Sequence, residues 1–302
     1  MSDKAREVRV WLQHQKILSQ KMRPNLEEQR QRLKAMGSIP IDPALRVTRT
    51  VEEGVAGEWI EPINGISNRV WLYLHGGAYA SGGPDSHRPL ASQLALASRA
   101  RIRVVDYRLA PEHRFPAALE DSVKAYMALL KQGVSHSSLV VGGDSAGGGL
   151  TVAMLVSLRD QGIPLPQAMV LLSPWTDLAA TGSSLRTRQD RDPWLDAAAI
   201  ADASRLYLGS TDPKNPLASP LYANLKGLCP ALIHVGDDEV LLDDSIRLAQ
   251  RLRDCGVPVT LKTFPDLWHV FHAFFIKVPE ANAAIEEIGL WVQQTIPEGT
   301  PS

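Results

Sequence analysis

Cysteine is almost absent: Cys229 and Cys255 are the only two in 302 residues. Two thiols cannot build a disulfide framework or a cysteine-rich zinc site, and both read as reduced core residues, which fits a cytoplasmic protein. An excess of one charge is lacking too. With 32 basic against 33 acidic residues the net charge is −1, so no field draws the chain to nucleic acid or to an acidic membrane surface. Long apolar runs are missing, and nothing approaches the roughly 18 residues of a membrane span, so no stable membrane association is expected. The N-terminal stretch holds no apolar run longer than Val10 to Leu12, too short for the apolar region of a signal peptide. Internal repeats and low-complexity tracts are absent as well. What remains is a chain that is 44% hydrophobic, enough for a sizeable core. Its expected partners are small neutral molecules.

Apolar strand-like runs alternate with longer helical patterns, the signature of an α/β chain with a mostly parallel sheet flanked by helices. Core strands are expected at residues 70–75, 102–107, 139–143, 168–173, 231–235 and 259–264, with helices at 117–131, 146–160, 243–254 and 280–295. Two short runs at 45–51 and 55–62 predict a hairpin that opens an antiparallel edge. Two regions break the rhythm. The first 36 residues are charged and helical, with apolar stripes at Val8, Trp11 and Leu12 and at Leu18 and Met22; residues 174–220 are polar and turn-rich, then helical. Both stripes need an apolar surface, so the two regions are expected to cap one end of the sheet. The division that follows is a cap built from residues 1–45 and 175–215 on a core of 46–174 and 216–302, one catalytic domain in all.

Between the third core strand and its helix the run breaks at a serine surrounded by Gly142, Gly143, Gly147, Gly148 and Gly149. Gly143, Ser145 and Gly147 satisfy G-x-S-x-G in a strand-turn-helix context, where a strained turn lifts a serine Oγ above the sheet. A phosphate loop is the weaker reading, because no G-x-x-x-x-G-K-[ST] occurs and no lysine lies near the turn. Directly after an earlier strand, the run from Tyr73 to Gly83 supplies small residues whose N–H groups are free to point into a site. The N–H groups of Gly77 and Ala78, with that of Ala146, are assigned as an oxyanion hole, and Gly76 as the residue that frees the turn. Of eight histidines, His269 is the best placed base, on a loop after the last strand. His272 is expected to pack, His75 to make a structural hydrogen bond in the oxyanion loop, and His14, His87, His113, His136 and His234 to be structural. The orienting acid should lie between serine and histidine in the chain. Asp237, Asp238, Glu239, Asp243 and Asp244 all stand there, and local chemistry does not choose among them.

Together these residues resemble the hormone-sensitive-lipase-like branch of the α/β-hydrolases, the bacterial esterases called family IV. The likeness covers roughly residues 70–275 and rests on Gly-Asp-Ser-Ala-Gly-Gly, His-Gly-Gly, the run from Asp106 to Asp121, Ser-Pro-Trp-Thr-Asp-Leu from Ser173, and Asp-Leu-Trp-His-Val-Phe from Asp266. It implies an α/β-hydrolase fold with a helical cap. Aligning Leu241 and Asp243 with the usual Asp-Pro-Leu-x-Asp motif implies Glu239 as the acid, with Glu for Asp and Val240 for Pro, 30 residues before His269. Ala78 departs as well, where a third glycine is common. The expected function is that of a carboxylesterase for short- to medium-chain esters, through a Ser145/His269/Glu239 triad and an acyl-enzyme, with no metal or organic cofactor. Trp11, Trp175, Trp194 and Leu206 are the candidate pocket lining. Lactone hydrolysis or deacetylation by the same triad is the alternative, and a non-enzymatic ligand receptor is the reading from another class. The resemblance also implies a homodimer paired through the edge strand at 259–264.

Overall fold

The structure is a computed structural model and describes residues 1–63 and 68–297. Among the described residues eight strands form one sheet: β1 (Leu45–Glu52), β2 (Val55–Pro62), β3 (Val70–Leu74), β4 (Arg101–Val105), β5 (Leu139–Asp144), β6 (Ala168–Leu172), β7 (Ala231–Gly236) and β8 (Val259–Phe264). Their order is β1-β2-β4-β3-β5-β6-β7-β8. The β1–β2 and β2–β4 pairs are antiparallel, and every other pair is parallel. Glu53 and Gly54, both at positive φ (50° and 79°), close the β1–β2 hairpin, whose primed turn matches the twist of the strands.

Strands β3, β5, β6 and β7 are buried along their whole length, as parallel strands covered on both faces must be. Alternation then sorts each strand between two core layers: Val70, Leu72 and Leu74 pack into one, Trp71 and Tyr73 into the other. Helices cover both faces. They are α3 (Pro84–Ser98), α4 (Ala117–Lys131), α5 (Ala146–Asp160), α8 (Leu242–Asp254) and α9 (Pro279–Thr295). Helix α3, which carries His87, is not among the helices expected from the sequence. Gly82, Gly83, Pro84 and Pro89 read as punctuation, yet Pro84 stands at the first helical position, where its missing N–H costs nothing.

The N-terminal break contains α1 (Asp3–Met22) and α2 (Leu26–Met36); the 174–220 break contains α6 (Ser184–Thr187) and α7 (Ala197–Leu208). Helix α1 buries Ala5, Val8 and Leu12. Trp11 and Met22 do not join that face and are 49% and 65% exposed, so two of the five residues of the expected stripes face outward. No residue of helix α2 is fully buried. Arg30 holds it, donating to the Ala80 and Ala110 carbonyls at 2.8 and 3.0 Å and pairing with Glu112 at 2.7 Å. The two breaks meet: Lys16 Nζ donates to the carbonyls of Gln189 and Asp192, and Gln20 donates to Asp196. Among the described residues no helix is long and apolar enough to cross a membrane.

Candidate active site

Strands β3, β5, β7 and β8 end on the same side of the sheet, and the four loops that follow carry the oxyanion-loop glycines, Ser145, Glu239 and His269. Ligands of open parallel sheets bind beyond such carboxyl ends. Ser145 sits between β5 and α5 at φ 52°, ψ −121°. A non-glycine residue held there costs on the order of 1–3 kcal/mol, so the surroundings must impose it. They do: its N–H donates to the Leu172 carbonyl at 2.9 Å, and its carbonyl accepts from Trp175 N–H at 2.9 Å. Crowding explains the flanking glycines. A Cβ on Gly143 or Gly147 would stand 2.0 or 1.9 Å from the Leu74 carbonyl oxygen, so only glycine lets β3 pass this close.

His269 Nδ1 lies 2.7 Å from Glu239 Oε2. Glu239 is fully buried, and its other oxygen accepts from Ser173 Oγ at 2.8 Å and Gly236 N–H at 2.7 Å. Ser173 Oγ in turn accepts from Val270 N–H at 3.1 Å. Val270 is β-branched yet adopts φ 47°, a position that this bond fixes next to the imidazole. Ser173 therefore binds the acid and the histidine loop together. Nothing in its local sequence beyond the Ser-Pro-Trp run marks that role. Burial pulls the His269 imidazole down, but the hydrogen bond and charge of Glu239, helped by Asp192 and Asp144, outweigh it and leave the group above its ordinary 6.5.

The other four carboxylates are engaged elsewhere. Asp237 accepts from Asp266 N–H at 2.7 Å, Asp238 pairs with Arg9 at 2.9 Å and with Arg191, and Asp243 accepts from Ser183 and Ser184. Asp244 accepts from the N–H groups of Thr176 and Asp177 at 2.7 and 2.8 Å, deep under the start of the second break. Burial pushes its carboxyl up to about 7, against those hydrogen bonds. A carboxyl raised from 3.8 in the unfolded chain to about 7 in the fold loses stability as pH climbs through that window, whereas asparagine has no such dependence. The urea midpoint of Asp244→Asn should thus gain on wild type by the equivalent of about 2 kcal/mol between about pH 5 and pH 8. A difference that stays constant with pH would remove the cause given for the shift.

The oxyanion loop differs from expectation at Gly76. Positive φ falls on Gly77 (118°), Ala78 (56°) and Tyr79 (60°), not on Gly76. The Gly76 N–H donates to Asp144 Oδ1 at 3.0 Å, so it is not free to meet an oxyanion, and a Cβ there would strike the same carboxylate. Asp144 also accepts from Tyr73 Oη at 2.7 Å and lies 3.4 Å from His87 Nε2. Burial raises this carboxyl, yet His87 and Tyr73 bring it down to about 2. As a fixed anion it ties the loop after β3 to the residue before Ser145. Ala146 is the first residue of α5, where a helix N–H has no internal partner. His75 and His272 are buried and neutral, His75 with Nδ1 2.7 Å from the Gly76 carbonyl oxygen and His272 with Nε2 3.3 Å from His234 Nδ1.

Ser145, His269, Gly77 and Ala78 line one cavity of about 340 Å³, walled also by Leu33, Met36, Trp194, Leu195 and Ile200. A larger cavity of about 500 Å³ is walled by Arg30, Lys34, Arg49 and Asp85 and reaches neither Ser145 nor His269. Of the four candidate lining residues only Trp194 stands in the smaller cavity. Trp175 is buried against Tyr79, Leu206 packs on the core, and Trp11 faces outward. Among the described residues no group of three or more His, Cys, Asp or Glu side chains could hold a metal ion.

Comparison with known proteins gives concordant matches. A family model described as the α/β hydrolase fold matches residues 71–273. A Streptomyces hygroscopicus protein named acetyl-hydrolase is 44% identical, over 88% of this chain and 87% of its own length. An Acinetobacter venetianus esterase is 35% identical, over 83% of this chain and 82% of its own. The crystal structure of an esterase from the bacterial hormone-sensitive lipase family superposes with a TM-score of 0.94 at 41% identity, covering 98% of this chain and 99% of that one.

Proposed function

The chain belongs to the α/β-hydrolase fold family, within its bacterial hormone-sensitive-lipase-like esterases, and from that membership we propose that its ester hydrolysis runs through Ser145, His269 and Glu239. The observation that carries the assignment is the 2.7 Å contact between His269 Nδ1 and Glu239, behind a cavity that Ser145 shares. Nδ1–H bound to the carboxylate leaves Nε2 unprotonated. Nε2 takes the Ser145 proton as Oγ attacks the ester carbonyl, and gives it to the departing alcohol; water then resolves the acyl-enzyme by the same steps. The N–H groups of Gly77, Ala78 and Ala146 receive the oxyanion. Ala146 supports this as the first residue of a helix, and Gly77 and Ala78 as lining of the same cavity.

The N-terminal helices and the 175–215 segment act as a cap, supported by their mutual contacts and by Met36 and Trp194 in the cavity wall. A bounded space of about 340 Å³ favours acyl chains of about two to eight carbons. The name of the acetyl-hydrolase relative points to the same small acyl groups. We place the enzyme in the cytoplasm, on its two unpaired cysteines. A homodimer would form along β8, which ends the sheet order and alternates exposed Thr260 and Lys262 with half-buried residues.

A p-nitrophenyl ester series from acetate to palmitate tests this reading, with rapid mixing to resolve the first turnover. Expected are a peak at short chains and a burst of p-nitrophenol approaching one equivalent of enzyme wherever deacylation is slow. A palmitate rate above that for butyrate would sink the chain-length assignment. If lactones or acetylated amines turn over faster than every ester, the triad stands and the bond it cleaves is reassigned.

A further inference from the structure

We propose that Asp192, in the segment between β6 and α7, is a positioning residue that joins the cavity wall to the Glu239–His269 pair. The inference rests on the triad reading above. Asp192 is 2% exposed, and its carboxylate accepts three backbone N–H groups. Oδ1 takes those of Trp194 and Leu195 at 2.8 Å each, and both residues line the cavity that holds Ser145. Oδ2 takes that of Val240 at 2.9 Å, the residue that follows Glu239. The Trp194 ring stands edge-on to the His269 imidazole, with centroids 6.3 Å apart and planes at 67°.

The other side of the acid is held by the same segment. Asp238, just before Glu239, pairs with Arg191, just before Asp192, and with Arg9 of α1. Glu239 is thus gripped through both neighbours by two consecutive residues of the segment that walls the cavity. Burying a carboxylate is costly unless it is hydrogen-bonded; burial raises this one above its ordinary 3.8, and the three N–H donors oppose that shift. Movement of the wall is then communicated to the acid through one rigid side chain. The charge has a second effect, because it favours the protonated imidazole of His269 alongside Glu239 and Asp144. Other charged groups nearby are Lys16, whose Nζ meets the Asp192 carbonyl, and the Arg9, Arg191 and Asp238 cluster; buried His272 stays neutral.

Asp192→Asn keeps the shape but turns an NH₂ toward one of the three N–H donors and removes the charge. Val240→Pro deletes the donor and leaves the carboxylate. The test measures kcat and KM for p-nitrophenyl butyrate against pH in the full-length wild type, both single variants and the double variant. Expected for Asp192→Asn is a kcat lowered about tenfold or more, with the acid limb of the profile moved to lower pH. Val240→Pro should lower kcat with KM held within about threefold, and the double variant should lose less than the product of the two single losses. A kcat of Asp192→Asn within about twofold of wild type, with the acid limb unmoved, overturns the proposal, as do losses that multiply. Should Asp192→Asn fail to fold, an unchanged kcat in Val240→Pro overturns it equally. Failure of the triad reading shows separately, as activity that survives in Ser145→Ala.

Discussion

Ser145→Ala should lower kcat for p-nitrophenyl butyrate by about 10⁵-fold or more, the largest effect expected of any single substitution here. The hydroxyl is the only group lost. The turn is held by main-chain bonds, from Ser145 N–H to Leu172 and from Trp175 N–H to the Ser145 carbonyl, which alanine keeps. Alanine meets the left-handed φ of 52° with the same Cβ that serine has, so folding should be unaffected and the melting temperature should stay within about 2 °C. What remains is catalysis by the oxyanion donors and by binding, on the order of 10³-fold over water. A sulfonyl fluoride should label the wild type once, at Ser145, and leave the variant unlabelled. If Ser145→Ala still hydrolyses butyrate at more than about a hundredth of the wild-type rate, the nucleophile lies elsewhere.

The elements that could be read from the sequence are those where one local pattern decides. Strands β3, β5, β6 and β7 are continuous apolar runs, and α4 and α5 begin and end at the expected residues, because two-sided burial leaves a uniform apolar code. Helix α3 could not be read, since its prolines mean opposite things in a loop and at a helix start. Ser145 and His269 stood out because each follows a strand at a position where a loop residue can reach the sheet end. Glu239 did not stand out. Five carboxylates in eight residues carry the same local chemistry, and what separates them is tertiary: four are engaged by Asp266, Arg9 and Arg191, Ser183, and Thr176, and one meets the imidazole. Family likeness pointed to the same residue. Ser173 and Asp192 remained hidden because each works through residues far away in the chain, Glu239 and Val270 for one, Val240 for the other. Trp11 faces outward for a related reason: a stripe of three apolar residues on α1 does not say which of them faces the core, and Ala5, Val8 and Leu12 take that face.

Glu239→Gln is the second large effect, with a kcat about 10³- to 10⁴-fold lower at neutral pH. Glutamine can still accept from Ser173 Oγ and Gly236 N–H with its oxygen, so the acid loop keeps its shape. Its NH₂ then faces His269 Nδ1. The imidazole answers by placing its proton on Nε2, the nitrogen that must be empty to take the proton of Ser145. The pH profile separates this account from simple misfolding. In the wild type the base must be neutral, and His269 lies above 6.5 because Glu239 outweighs burial, so activity falls as pH drops through a value above 6.5. Without the carboxylate, burial prevails and the acid limb moves to lower pH. Stability shifts in the opposite sense: an imidazole raised in the fold contributes stability that is complete below 6.5 and lost as pH rises through the raised value, so Glu239→Gln should destabilise most at acidic pH. Asp243→Asn, whose carboxylate accepts from Ser183 and Ser184 and feels the charge of Arg247, should keep kcat within about threefold. If the losses are reversed between Glu239 and Asp243, the acid has been misassigned; if Glu239→Gln loses activity with an unmoved acid limb, the carboxylate anchors the loop but does not set the charge of His269.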